Sequence, residues 1–357
     1  MDRAPPSPPR RALIVTRGQD PRGGGVERFG NALASVLGQN GWLVDFACSG
    51  YRMSRWAYRV GLSYSVWSRT ATRQIRHQPD LIISIGFLGT PAKATPRIHV
   101  YQGNQVGYAL ALRGRVPLRV TLRGLVGGGA AEARAGRRAR VVADSESTRA
   151  DVERFYRLRV DAVLPNGVDT DLFRPRPRNE ARAAIGLPAD ARIAFYAGRP
   201  EPGKGTQLLG QAIANTGYEL VVAGPTAPDH GVYLGSLHHA ELAIAYNAAD
   251  VVLLPTVHEG CSYVVLETLA SGTPLLTTSV GWMRQFLDDV PLYRLLIIEP
   301  SVAGLTRGLR MLQQTDVDEL TAAGRAYVVK NNDLEPWGRA WISFIDDVMA
   351  TEPAHVT

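Results

Sequence analysis

The amino-acid sequence predicts an α/β protein built from two Rossmann-like, doubly wound parallel-sheet domains that face each other across a cleft. Three observations predict it. The 357 residues exceed what one hydrophobic core usually organises. Short apolar runs of strand length alternate with segments of helical periodicity in both halves of the chain. A Pro-, Asn-, Gly- and Asp-rich stretch after Leu158 separates the two alternations.

In the first half, Arg11–Thr16 (RALIVT) reads as a buried strand that ends at the Gly-rich loop RGQDPRGGG. Val26–Leu37 places Val26, Phe29, Leu33, Val36 and Leu37 at helical spacing, and Gly41 closes the helix before a second strand, Trp42–Ala47. Leu81–Ile85, Ile98–Tyr101 and Val141–Ala143 are further short strands. The stretch VDAVLPNGVDTDLFRPRPRNEARAAIG has little apolar periodicity and reads as the interdomain linker.

The second half repeats the alternation. Strands are predicted at Ile193–Ala197, Glu219–Ala223, Gly231–Leu234, Val251–Leu254 and Pro274–Thr277. Helices are predicted at Gln207–Ala214, Ala240–Asn247 and Ser262–Ala270. A last helix, Trp337–Met349, carries Trp341, Phe344, Ile345 and Val348 on one face. The expected division is an acceptor-binding domain over 1–163 and a donor-binding domain over 164–335, with 336–357 packing back on the first.

Composition narrows the class. With 45% hydrophobic and 20% charged residues, and no apolar run of about 18 residues, the chain reads as globular rather than membrane-spanning. The N-terminus lacks a signal-peptide apolar core, so a cytoplasmic location is expected. Cys48 and Cys261 are too few for a disulfide framework or a four-ligand zinc site. The net charge of +7 is unevenly spread, because residues 1–165 hold 26 Lys and Arg against 11 Asp and Glu. That basic half either faces an anionic partner or simply carries a solvated arginine surface.

The densest chemical signal is the run His258–Glu267 (HEGCSYVVLE), which follows the strand VVLLP. In a doubly wound domain this turn lies at the carboxyl edge of the sheet, where backbone N–H groups of residues 260–264 would open a helix toward an anion. Glu267, about two turns inside that helix, can accept two hydrogen bonds from a ribose diol, and Glu259 at its mouth can hold sugar hydroxyls. Without context, two helix-surface glutamates would be the simpler reading. The second signal is Gly198-Arg199-Pro-Glu-Pro-Gly203-Lys204-Gly205, two cations on a Gly-rich loop before a helix expected near Thr206. Such a loop can neutralise a diphosphate, the Arg in bidentate fashion and the Lys as a point charge. It is not a nucleoside-triphosphatase loop, since Gly205 stands where Ser or Thr is required. The third signal is Gly23-Gly24-Gly25 after the first strand, which lets backbone approach a phosphate or sugar. An NAD fingerprint fails there, because Arg28 stands at the third glycine position.

Together these motifs, with DSESTRADVERFY, VLPNGVDTDLFRP, AGRPEPGKG, LVVAGP, ELAIAYNAADVVLLP and EGCSYVVLETLASGTPLLTTSVG, resemble the family-4 glycosyltransferases of GT-B architecture. The resemblance covers most of the chain. It implies a retaining transferase acting on a nucleotide-diphosphate sugar, with no metal ion or other cofactor. It implies that Arg199 and Lys204 bind the diphosphate, Glu267 the ribose and Glu259 the transferred sugar. The Gly23–Gly25 loop, Gly198 and the backbone of Gly260, Cys261, Ser262 and Tyr263 would close on the donor. Many relatives carry a His near the sugar at the end of the strand reading IHVYQG, where Gln102 aligns best and His99 is the other candidate. Cys261 and the GWMRQF segment depart from the family pattern, and Trp282 would either stack on a sugar or pack within its loop. Asp169–Asp171 (DTD) reads as a turn rather than a metal motif.

The acceptor implied is a glycan, a lipid-linked sugar or a small natural product. Residues 51–78 place Arg52, Arg55 and Arg59 on one helical face, which suggests either contact with an anionic membrane or an ordinary amphipathic helix. An anionic or membrane-linked acceptor is expected on that ground, and no nucleic-acid motif accompanies the charge. The competing functions are a nucleotide-sugar epimerase or phosphorylase on the same scaffold and a non-catalytic nucleotide-sugar-binding protein.

Overall fold

The computed structural model describes residues 9–20, 23–48, 77–86 and 95–351. Most of the 51–78 segment lies outside the described residues, so its expected helix is not placed.

Two parallel sheets organise the chain. The first contains β1 (Arg11–Thr16), β2 (Leu43–Cys48), β3 (Leu81–Ile85), β4 (Arg97–Tyr101), β5 (Arg140–Ala143) and β6 (Ala162–Val163) in the order β2-β1-β3-β4-β5-β6. The second contains β7 (Arg192–Ala197), β8 (Tyr218–Ala223), β9 (Val232–Tyr233), β10 (Val251–Leu254) and β11 (Leu275–Thr277) in the order β11-β10-β7-β8-β9. Every strand pairing is parallel. Central strands covered on both faces need continuous apolar runs, and β3 (LIISI) and β10 (VVLL) are buried at every residue.

The last helix, Leu334–Thr351, turns Trp337, Trp341, Ile345 and Val348 into the core of the first sheet. Trp341 meets Phe29 of the helix Gly25–Gln39 edge to face, with ring centroids 5.5 Å apart. The chain therefore crosses from the first core to the second and returns.

Several expectations change. The stretch read as a linker holds β6 and a helix, Arg178–Ala184. That helix buries Ala181 and Arg182, and the guanidinium of Arg182 reaches Ala248 O at 3.0 Å and Asp250 Oδ2 at 2.8 Å. An inward-facing arginine leaves no hydrophobic period to read. The strand expected at 231–234 shrinks to Val232–Tyr233 on an exposed sheet edge. The helix expected at 207–214 is a 3-10 turn, Thr206–Leu208, followed by a short α-helix, Leu209–Ile213. The GWMRQF segment is helical from Trp282 to Asp289, and Trp282 packs on Phe286 at 5.3 Å with 2% exposure, so it does not offer a sugar platform. Asp169 Oδ1 accepts from the N–H groups of Asp171 and Leu172 at 3.1 and 2.8 Å, which accounts for the DTD segment as a turn.

Candidate active site

The carboxyl edges of the two sheets meet. The Gly23–Gly25 loop follows β1, and Gly24 and Gly25 lie against side chains from the other domain. A Cβ added at Gly24 would stand 3.6 Å from Arg199 Nη2, and one at Gly25 would stand 3.4 Å from Tyr263 Cδ2. Arg199 follows β7 and extends half-exposed, with Nε 3.1 Å from Glu201 Oε1. Lys204 Nζ donates to Glu259 Oε1 at 2.5 Å, both side chains being largely shielded. Pro202–Lys204 is a 3-10 turn, and the α-helix beyond starts only at Leu209. The two cations therefore act from their own charge, without the helix N-terminus expected beside them.

Glu267 is buried inside the helix Tyr263–Ser271 and is engaged at both oxygens. Tyr246 Oη donates to its Oε2 at 2.9 Å, and the guanidinium of Arg28 donates to its Oε1. Arg28 also lies over the Tyr263 ring, 5.9 Å from the centroid. Burial pushes the Glu267 carboxyl up from its ordinary range, against the pull of Arg28 and Tyr246. Burial alone would lower Arg28, but the charge of Glu267 holds it above its ordinary value. Each oxygen of Glu267, expected to accept from a ribose diol, already accepts one hydrogen bond from protein, which leaves one further lone pair on each.

The turn before that helix is also occupied. Asp144, just after β5, accepts from the N–H of Cys261 at 2.8 Å and from Thr148 Oγ1 at 2.7 Å. Burial raises the Asp144 carboxyl to about 6, while the hydrogen bonds from Thr148 and Cys261 oppose that rise. A Cβ at Gly260 would fall 2.0 Å from Asp144 Oδ2, so residue 260 must be glycine for the domains to approach this closely. The expected anion-binding run of N–H groups at 260–264 is thus reduced, because the Cys261 N–H serves Asp144. The Cys261 thiol is buried, and burial drives its pKa upward. Ser262 stands at the helix N-cap without a side-chain cap bond.

Gln102 Nε2 donates to Asn166 Oδ1 at 3.1 Å, and Asn166 Nδ2 donates to the Cys261 carbonyl at 2.6 Å. Gln102 thus reaches the same turn through one intermediary. His99 does not: it is fully buried, its Nδ1 is 2.7 Å from Ser84 Oγ, and burial lowers its pKa to about 3. It is a neutral core residue.

Sequence reasoning missed Arg28, Asp144 and Asn166. Arg28 follows Gly25 by three positions on the helix leaving the Gly loop, and Asp144 stands at the carboxyl end of a parallel strand, both places where ligands and partners gather in such sheets. Asn166 sits in the VLPNGVDTDLFRP motif, which the resemblance includes without giving it a site role. Among the described residues no group of three His, Cys, Asp or Glu is arranged to hold a metal ion, and no helix is long and apolar enough to cross a membrane.

Residues 191–315 match the family "Glycosyl transferases group 1". D-inositol 3-phosphate glycosyltransferase of Mycobacterium tuberculosis is 36% identical over 151 residues, which cover 37% of this chain and 31% of that protein. The chain thus matches about a third of the length of that relative. Among solved structures, sucrose-phosphate synthase from Thermosynechococcus elongatus superposes with a TM-score of 0.77 at 19% identity, over 96% of this chain and 99% of that one. WaaG, a glycosyltransferase involved in lipopolysaccharide biosynthesis, superposes at 0.70 with 18% identity, over 94% and 99%. An Anabaena protein solved in complex with UDP-glucose superposes at 0.66 with 14% identity, over 94% and 99%. Residues 191–315 are accordingly a glycosyl transferases group 1 domain, carried on the two-domain GT-B fold.

Proposed function

We propose that the chain is a retaining, metal-independent glycosyltransferase, compatible with family 4, that moves a sugar from a UDP-, GDP- or dTDP-sugar to an acceptor hydroxyl. The observation that carries the reading is Arg199 standing against the Gly23–Gly25 loop across the cleft, with Lys204 of the same Gly-rich loop as Arg199 paired to Glu259. The Anabaena neighbour solved with UDP-glucose supports the donor class.

The chemistry follows from the charges. Lys204 and Glu259 neutralise one another. A donor re-pairs them, the ammonium with a diphosphate oxygen and the carboxylate with a sugar hydroxyl. As the bond from anomeric carbon to diphosphate breaks, its electron pair leaves with the phosphate, and Arg199 and Lys204 stabilise the growing negative charge. The acceptor oxygen forms the new bond to the anomeric carbon, and its proton passes to the departing diphosphate. Glu267 holds the ribose once a ribose hydroxyl takes the place of the Arg28 guanidinium at Oε1. Gln102 faces this reaction through Asn166.

Isothermal titration with UDP, GDP and dTDP in the presence of EDTA tests the reading. Binding of one nucleotide without metal, followed by transfer in a product screen, is expected; no binding of any would refute it. Binding without transfer would favour a nucleotide-sugar-binding protein, and interconversion of the free donor an epimerase.

A peripheral contact with an anionic membrane, on its cytoplasmic side, belongs to the same proposal. Its support is the region around the helix Leu118–Arg123, where Leu118 is 69% and Val126 70% exposed beside the exposed Arg113, Arg115 and Arg119. Flotation with phosphatidylglycerol vesicles is expected to carry the protein, and flotation that survives Leu118→Ser with Val126→Ser would remove this surface from the account.

A further inference from the structure

A cavity of about 330 Å³ lies between the domains, walled by Ser147, Asp151 and Arg154 from one side and by Glu259, Gly281 and Arg284 from the other. Ser147 Oγ donates to the Gly281 carbonyl at 3.3 Å, joining the two walls. The volume lies at the small end of the range for ligand sites, roughly 300–1,000 Å³, and suits one ring-sized molecule better than a polymer.

The charges on the walls are unequal in what they lack. Glu259 is matched by Lys204 at 2.5 Å, and Asp151 accepts from Asn104 Nδ2 at 2.8 Å beside His258. Arg154 and Arg284 have no carboxylate partner among the described residues. Arg154 lies over the Phe155 ring at 5.2 Å, and Arg284 spends only its Nε, on the Ser279 carbonyl at 3.2 Å. The cavity therefore pairs a carboxylate already assigned to sugar hydroxyls with two guanidinium groups free to grip an anion, from one domain each. Guanidinium groups in this state recognise phosphate or carboxylate through paired N–H donors.

We infer that this cavity is the acceptor site and that it takes a small hydroxyl-bearing molecule with one anionic group, such as a phosphate, which Arg154 and Arg284 hold while a hydroxyl is turned toward Glu259. The inference rests on the transferase reading above, because Glu259 marks where the transferred sugar must be. Since the two arginines come from different domains, an anionic acceptor also favours the closed cleft.

Inorganic phosphate is the probe. It is titrated calorimetrically into protein saturated with whichever nucleotide binds, so that the Arg199 and Lys204 site is already filled, and the titration is repeated on Arg154→Gln/Arg284→Gln. A second phosphate site is expected, weakened about tenfold or more in the double variant, with nucleotide affinity unchanged. Phosphate affinity that is the same in both proteins, or no phosphate uptake beside bound nucleotide, would overturn the inference while leaving the donor assignment intact. Failure of all three nucleotides to bind would instead remove the transferase reading. Phosphatidylglycerol vesicles distinguish the source of the anion. If the double variant loses phosphate but still floats, the acceptor is a free small molecule; if it loses both, the anionic group is lipid-borne.

Discussion

Arg28 of the first helix and Glu267 of the second domain form a buried ion pair across the cleft, 239 residues apart in sequence, with Tyr246 holding the other carboxylate oxygen. The pair ties the carboxyl edges of the two sheets together, and it does so at the position proposed for the nucleotide ribose.

Removing one member of such a pair strands the other charge. Arg28→Met is expected to lower stability by about 3 kcal/mol, and Arg28→Met/Glu267→Gln by clearly less than the sum of the two single changes. Urea unfolding of the four proteins reads this, and additive losses would mean that the pair does not couple the domains. Glu267→Ala is the less suitable probe of ribose binding, since it leaves Arg28 without its partner.

Lys204→Ala removes the point charge proposed to meet the diphosphate and leaves Glu259 without its cation. Turnover is expected to fall by about a hundredfold or more, with nucleotide affinity reduced and far-ultraviolet circular dichroism unchanged. Activity close to that of the native chain would place the diphosphate elsewhere.

Gly260→Ala would drive a Cβ to 2.0 Å from Asp144 Oδ2, which Thr148 and the Cys261 N–H hold in place. A stability loss of about 1–3 kcal/mol is expected, with a more open cleft in small-angle scattering. Pairing it with Asp144→Ser should recover part of the loss, because the obstructing carboxylate is gone. A fully native scattering profile for Gly260→Ala alone would contradict the close approach.

The raised value of Asp144, about 6 against an ordinary 3.8, carries a sign. The folded state keeps the proton that the unfolded chain has released, so the stability tied to this group is complete below an ordinary carboxylate pKa and is lost as pH rises through about 6. The amount is on the order of 3 kcal/mol. Asp144→Asn cannot ionise, so its melting temperature should gain on the native chain between about pH 4 and pH 7. Glu132, which burial raises to about 7, contributes the same sign in both proteins and cancels in the comparison. A constant difference across that window would show that Asp144 titrates normally.

Much of the architecture is legible in the residues. β1, β3 and β10 have the predicted bounds, because strands buried on both faces must be continuous apolar runs. The last helix returns to the first core through Trp341, Ile345 and Val348 of the expected face, while Phe344 is only partly buried and Trp337 joins the buried side, about three turns in all. The helix Arg178–Ala184 escaped because its buried face is an alanine and a hydrogen-bonded arginine, which hydrophobic periodicity does not register.

The sequence alone determined that Arg199, Lys204, Glu259 and the Gly23–Gly25 loop lie at strand ends, since local pattern places strands and their carboxyl edges hold the loops that follow. Only the tertiary structure decided which of those groups are already engaged. Glu267 is taken by Arg28, the Cys261 N–H by Asp144, and the cavity at Glu259 is left to Arg154 and Arg284. Hydrogen bonds between residues more than a hundred positions apart depend on how two domains close, and no local spacing encodes that.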